Sequence, residues 1–220
     1  IFYQFFGQSE CPMVISNMTR KEHDLSKPER LSSCGRPSPW IHLSLRDPEG
    51  NEVPRGEPGE ICIRGPLIMK GYKDMPEQTA EAFAGGWLHT GDVGKLDDDG
   101  FLYIVDRTKD MIVTGGFNVF PREVEDVLGT HEAVGQVVVI GVPDEQWGEA
   151  VKAVIVLKPD FEASDELISS MQALVKKAKG SVQSPKSIDF VAAIPLTPVG
   201  KPDKKTVRAQ YWVDSDRGVG

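Results

Sequence analysis

The chain has 220 residues, 40% hydrophobic and 26% charged, with 22 Gly and 16 Pro spread along it. That balance excludes disordered, collagen-like and mini-protein scaffolds and leaves room for one or two domains, each with its own core. A formal net charge of -8, from 25 basic and 33 acidic side chains, would repel a polyphosphate backbone over most of the surface, so nucleic acid is not an expected partner.

Cys11, Cys34 and Cys62 are odd in number and far apart. They fit neither a disulfide framework nor a zinc site, and they point to a reducing cytosol. No apolar run approaches the roughly 20 residues of a membrane helix, and no basic-then-apolar signal pattern opens the chain. A cytoplasmic protein without a membrane span is expected.

The opening run, residues 1–7, is apolar and aromatic, with no Met and no polar lead-in, and it predicts a buried strand. A domain rarely begins on its own interior strand, so the sequence is expected to be the carboxyl-terminal part of a longer protein. Short strands and turns follow between about residues 40 and 106. Residues 42–46 alternate and lead into turn formers at 47–51; residues 60–64 alternate again. An apolar run at 101–105 follows the tight Asp97-Asp98-Asp99-Gly100 turn. These predict a small antiparallel unit, barrel-like or curled. Between its strands, the acidic stretch 76–83 predicts a short helix ahead of Gly85-Gly86-Trp87.

After Asp106 strands and helices alternate. Pro121 suits a first helical position, Val124, Val127 and Leu128 form an i, i+3, i+4 stripe, and Gly129 ends the turn. Buried strands are predicted at 134–142 and 151–157. Ser164 then caps a helix whose Asp165 and Glu166 suit the positive end of its dipole. Leu167, Ile168, Met171, Leu174, Val175 and Ala178 line one face of that helix, and Gly180 lies beyond its end. A last strand is expected at 188–194 and a loop of turn formers and lysines at 195–205. The expected fold class is α+β, with the antiparallel unit ending near residue 106 and a second domain from 107 to 220.

Five short segments could carry chemistry. Phe6-Gly7-Gln8-Ser9-Glu10 sets an aromatic face, a hydroxyl and a carboxylate at a strand end. Trp87-Leu88-His89-Thr90-Gly91-Asp92 places a carboxylate just after Gly, as recognition of sugar hydroxyls would need. Asp106-Arg107-Thr108-Lys109-Asp110 is a charged connection where a hinge would sit. Thr114-Gly115-Gly116-Phe117-Asn118 lets backbone approach a ligand closely. Residues 195–201 end in Gly200-Lys201, but Pro195 and Pro202 stand where a Walker loop needs Gly and Ser or Thr. What remains there is a cation on a proline-stiffened loop. Taken singly, each segment also reads as a plain strand end, turn or linker.

In this order and spacing, the segments resemble the adenylate-forming superfamily of acyl-CoA synthetases, luciferases and peptide-synthetase adenylation domains. The resemblance covers essentially the whole sequence. Residues 106–112, 141–144 and 207–212 resemble bacterial fatty-acyl-CoA ligases in particular. It implies that residues 1–106 end a large AMP-binding domain and that 107–220 form a small mobile α/β domain. By resemblance, Phe6 and Gly7 face adenine, Ser9 contacts the adenylate phosphate and Glu10 helps hold Mg2+. Asp92 accepts the ribose hydroxyls and Arg107 also touches the ribose. Lys109 is the hinge, Gly116 and Phe117 line the pantetheine tunnel, and Lys201 is the catalytic lysine of adenylation.

Phe6 and Ser9 replace a more usual Tyr and Thr but keep the ring face and the hydroxyl. Lys176, Lys177, Lys179, Lys204, Lys205 and Arg208 are candidates to attract CoA phosphates. The implied chemistry joins a carboxylic acid to ATP and then to coenzyme A. The superfamily's phosphate loop and most of its acyl pocket have no counterpart in these residues, so the 220 residues alone are expected not to turn over. An enzyme that loads a carrier protein and a non-catalytic binding module are the alternatives.

Overall fold

Alternation, rather than continuous burial, shapes the opening strand β1 (Gln4–Gln8). Phe6 faces the core while its neighbour Phe5 is exposed, as are Phe2 and Tyr3. Within these residues only one face of β1, an edge strand here, has apolar cover, where burial on both faces was expected. The computed structural model describes residues 2–212, so Ile1, the first residue of that predicted strand, lies outside the described residues.

Strand β2 (Cys11–Met18) returns antiparallel to β1, with Gln8 opposite Cys11, which leaves Ser9-Glu10 as a two-residue hairpin tip. A register shift between Phe6 and Gln8 places an irregularity at Gly7. Strand β3 (Arg36–Pro37) completes a three-stranded sheet in the order β1-β2-β3. A second sheet contains β4 (His42–Arg46), β5 (Gly59–Arg64), β6 (Leu88–Leu96) and β7 (Leu102–Arg107), all antiparallel and in chain order. The helix α1 (Pro76–Ala82) lies between β5 and β6 in the chain. Phe6, Cys11 and Ile15 of the first sheet share one core with Leu45, Ile61, Ile63, Leu88 and Leu102 of the second. The antiparallel character matches expectation, and the small unit is an open sheet rather than a closed barrel. Strands β4 and β7 are the ends of an open four-stranded sheet and do not pair, whereas a barrel must join its edges.

The chain divides after Thr108 into two compact units. In the second, β8 (Ile112–Thr114) and β9 (Phe117–Val119) form a hairpin, followed by α2 (Pro121–Leu128), β10 (Val134–Asp144), β11 (Gly148–Leu157), α3 (Asp165–Lys179), β12 (Ser187–Phe190) and α4 (Lys204–Ala209). The sheet order is β10-β11-β8-β9, with β12 added parallel to β11. Val139, Val151, Ala153 and Ile155 face α2 and α3 through Val124, Leu128, Met171 and Val175. Val138, Ile140 and Val154 face the other way, towards Ile194 and Val207 of the α4 region. Burial on both faces explains why β10 and β11 are continuous β-branched runs.

Helix α3 follows its capping signals: the Ser164 hydroxyl accepts from the Leu167 N–H at 3.2 Å, and Gly180 ends the helix at φ 90°. Strand β12 stops at Phe190, short of the expected 194. Met171 is fully buried in the core between α3 and the sheet. Met171→Ala should destabilise the protein by about 2–5 kcal/mol, seen as a lower urea midpoint at unchanged slope.

Candidate active site

In the first unit the chemistry-bearing residues gather around two irregular strand positions. At the β1–β2 tip, Ser9 is exposed and Glu10 half-buried. The Tyr72 hydroxyl donates to Glu10 Oε1 at 2.9 Å, and the Met69 N–H donates to the Glu10 carbonyl at 2.8 Å. A segment about 60 residues away thus holds the tip at both side chain and backbone. Phe6, one turn of pleat earlier, is buried in the shared core, and Gly7 beside it is exposed.

Asp92 lies on β6 opposite Arg107 of β7, whose Nε is 3.4 Å from Asp92 Oδ1. The aspartate side chain is 14% exposed and the arginine 59%, so the ion pair leaves the carboxylate only partly compensated. Burial pushes the Asp92 carboxyl above the ordinary aspartate range; Arg107 pulls it down by charge and hydrogen bond, while Glu10 and Glu60 push it up again. The structure thus brings Glu10, Glu60, Asp92 and Arg107 into one electrostatic neighbourhood. Glu10, a carboxylate with one oxygen oriented by Tyr72, is the kind of hard oxygen ligand that magnesium takes beside phosphates, so the donor set fits that ion.

The Glu60 carboxylate, the Cys62 thiol and the His89 imidazole place their ligand atoms within 4.8 Å of one another. Their bonding is already internal: His89 Nδ1 is 2.7 Å from Glu60 Oε2, and burial together with Glu60 pushes the Cys62 thiol up to about 12. This is a hydrogen-bonded strut between β5 and β6 rather than an open ligand set.

The remaining candidates belong to the second unit. Lys109 is exposed in a 3-10 turn at Thr108–Asp110. Gly115 and Gly116 form the two-residue turn of the β8–β9 hairpin, at φ 56° and 83°, the paired positive values of a type I′ turn. A Cβ on Gly115 would come within 2.6 Å of the Trp147 ring, whereas Gly116 faces open space. Phe117 beside them is exposed.

Lys201 is exposed on a loop closed by the Leu196↔Pro202 bridge, with the Thr197 N–H donating to the Lys201 carbonyl at 2.7 Å and the Lys201 N–H donating to Thr197 Oγ1 at 3.1 Å. Helix α4 anchors this loop: Lys204 pairs with Glu125 at 2.9 Å and Arg208 with Glu149 at 2.6 Å, and the Trp212 indole donates to the Gly141 carbonyl at 3.0 Å. Lys204, Arg208 and Lys179, which pairs with Glu123, are thus committed within the unit.

The comparisons with known proteins bear on the same positions. The family of AMP-binding enzymes matches residues 1–73, and the AMP-binding enzyme C-terminal domain matches residues 123–201. The chain belongs to the adenylate-forming, AMP-binding enzymes. It is 54% identical to the medium/long-chain-fatty-acid–CoA ligase FadD8 of Mycobacterium tuberculosis, over all of this chain and 39% of that relative. It is 38% identical to the fatty acid–[acyl-carrier-protein] ligase ScoC of Streptomyces coeruleorubidus, over 86% of this chain and 36% of the relative. Among solved structures it resembles the amide bond synthetase McbA of Marinactinospora thermotolerans, with a TM-score of 0.83 and 40% identity, covering 95% of this chain and 42% of that one. The chain therefore spans about 40% of the length of these adenylate-forming relatives.

Sequence reasoning passed over Tyr72, Glu60 and His89. No local spacing links Tyr72 to Glu10, and Glu60 and His89 read as ordinary strand residues until β5 and β6 pair.

A raised carboxyl pKa means that folding favours protonated Asp92. Its contribution to stability is present below the ordinary aspartate pKa and is lost as pH rises through the higher folded value. Asp92→Asn should therefore raise the thermal midpoint at neutral pH, and the gain should vanish in acid below the aspartate range. Midpoints measured across pH for both proteins check it.

Proposed function

We propose that this chain supplies the ribose-recognising, phosphate-facing and lysine-bearing parts of an ATP-dependent acyl-CoA synthetase that acts on a fatty or related carboxylic acid in a reducing cytosol. One observation carries the reading. Asp92, at the family's Trp-x-x-Thr-Gly-Asp motif, is a 14% exposed carboxylate whose one ion-pair partner, Arg107, is itself 59% exposed, so it is largely withdrawn from water and only partly compensated. A protein that holds a carboxylate at such a cost gains from ligand donors that relieve it, and two vicinal ribose hydroxyls are suited to one carboxylate. The 54% identity to a fatty-acid–CoA ligase and three unpaired, buried cysteines support the substrate class and the compartment.

In the first half-reaction a carboxylate oxygen of the acid attacks the α-phosphorus of ATP, giving acyl-adenylate and releasing pyrophosphate. In the second, the thiolate of coenzyme A attacks the acyl carbonyl and expels AMP. Phe6 and Gly7 would border the adenine, Ser9 the adenylate phosphate, Asp92 and Arg107 the ribose. Bound at Glu10, magnesium would offset phosphate charge. Lys201 would meet the charge that builds between the attacking carboxylate and the α-phosphate, while Gly116 and Phe117 would flank the pantetheine arm. Lys109 would be the pivot between the two half-reactions.

A second reading, transfer to a carrier-protein thiol instead of free CoA, is favoured by the likeness to ScoC. Pyrophosphate release by the full-length protein over a panel of acids tests both. Turnover that requires CoA supports the ligase, turnover that requires a phosphopantetheinyl carrier supports the second reading, and no release with any acid overturns both. Within the ligase reading, Lys201→Ala should slow adenylation by about two to three orders of magnitude. Thioester formation from supplied acyl-adenylate should persist, and single-turnover assays of each step separate the two.

A further inference from the structure

Strand β6 departs from regular pairing at the stretch that carries Asp92. Glu60 of β5 faces Val93 and Cys62 faces His89, so Thr90, Gly91 and Asp92 together lie opposite the single residue Ile61. A bulge of this kind re-aims side chains, and it takes backbone N–H groups off the ladder that must then find other acceptors. Glu60 provides one: its Oε1 accepts from the Gly91 N–H at 3.1 Å. The Asp92 N–H donates to Thr90 Oγ1 at 3.2 Å. Gly91 sits at φ 71° with open space beside its Cα, so no side-chain packing holds that left-handed conformation.

Glu60 is itself oriented. Its second oxygen lies 2.7 Å from His89 Nδ1, and His89 Nε2 lies 3.2 Å from the Ala84 carbonyl. The neighbouring carbonyls, those of Gly85 and Gly86, accept from Arg64 at 3.0 and 2.6 Å, and Arg64 stacks on Trp87 at 4.0 Å. A continuous line of bonds therefore runs from a braced turn through His89 and Glu60 to the Gly91 N–H, one residue before Asp92.

We propose that Glu60, held by His89, is a positioning residue that fixes the Gly91 bulge and so aims the Asp92 carboxylate at the two hydroxyls of a nucleotide ribose. The proposal rests on the reading of Asp92 as the ribose acceptor. Glu60 touches no ligand in this scheme. Its effect is confined to how well the site tells a ribose from a sugar without hydroxyls.

The test uses the full-length protein and compares dissociation constants for ATP and 2′,3′-dideoxyATP by calorimetry. Asp92→Ala should collapse the preference for ATP. Glu60→Ala should lower it about tenfold, through weaker binding of ATP with dideoxyATP unchanged, as expected when a half-buried donor loses its acceptor. Glu60→Gln retains an acceptor for Gly91 and should restore most of the preference. His89→Leu, which frees Glu60 to rotate, should lower it about threefold and carries the test if Glu60→Ala does not fold. A folded Glu60→Ala or His89→Leu with wild-type preference, alongside a collapsed Asp92→Ala, overturns the positioning role and leaves the ribose reading standing. An unchanged preference in Asp92→Ala overturns the ribose reading and this inference with it. Equal weakening of both nucleotides by Glu60→Ala marks general damage and also overturns the positioning role.

Discussion

A backbone N–H that leaves its ladder must find another acceptor, and in the first unit that obligation governs where the functional groups point. Strand β6 breaks register at Thr90, Gly91 and Asp92, and side chains rather than strands answer two of the freed donors. Without Glu60 and Thr90 the bulge would leave half-buried amides unsatisfied, each at a penalty, which favours a return towards regular pairing. In a regular strand the side chain of residue 92 would take the direction that alternation dictates. The irregularity is thus the device that frees Asp92 from the pleat. The same holds in milder form at β1, where the register shift at Gly7 precedes the tip carrying Ser9 and Glu10, and Tyr72 fixes the tip from outside the hairpin.

The second unit solves a related problem with charge. Lys201 lies on a loop with no strand or long helix of its own, and three prolines stiffen it without attaching it. Attachment comes from the next element, α4, through Lys204 to Glu125 and Arg208 to Glu149. Each acid also serves backbone: Glu125 Oε1 accepts from the Val139 N–H at 2.8 Å and Glu149 Oε2 from the Val113 N–H at 3.1 Å. The two carboxylates thereby join α4 to β10 and to β8. Partly buried pairs that also satisfy backbone donors hold geometry better than exposed ones, which suits a loop whose exposed lysine must be presented in one place. The adjacent hairpin tip uses shape instead: Gly115 leaves room for the Trp147 ring that a side chain would displace.

Much of this architecture was legible in the sequence because it obeys local rules. Residues 42–46 and 60–64 alternate and form β4 and β5; the stripe of Val124, Val127 and Leu128 is α2; the Ser164 cap and Gly180 bound α3. The unread elements lack such rules. The β6 sequence, LHTGDVGKL, shows no alternation because glycines sit at its bulges, and the β8 and β9 strands are three residues each. The exposure of Phe2, Tyr3 and Phe5 was also not legible, since an aromatic run carries no mark of which face is covered. Among candidate site residues, Asp92, Glu10 and Lys201 were singled out by motif. Glu60, His89 and Tyr72 were not, because their role exists only through pairing with residues about 30 or 60 positions away.

Acidity at the site follows from this division of labour. Asp92 lies within reach of two further carboxylates, Glu10 and Glu60, and among the three only Asp92 is paired with an arginine, one that is itself mostly exposed. Such a group is ill suited to meet a polyphosphate directly, because like charges at short range would repel. It is well suited to uncharged hydroxyl donors, which relieve a crowded carboxylate without adding charge. On the proposed reading, the end of a nucleotide that suits Asp92 is therefore its sugar. Phosphate charge would call for cations instead, and Lys201 stands exposed on its stiffened loop in the second unit.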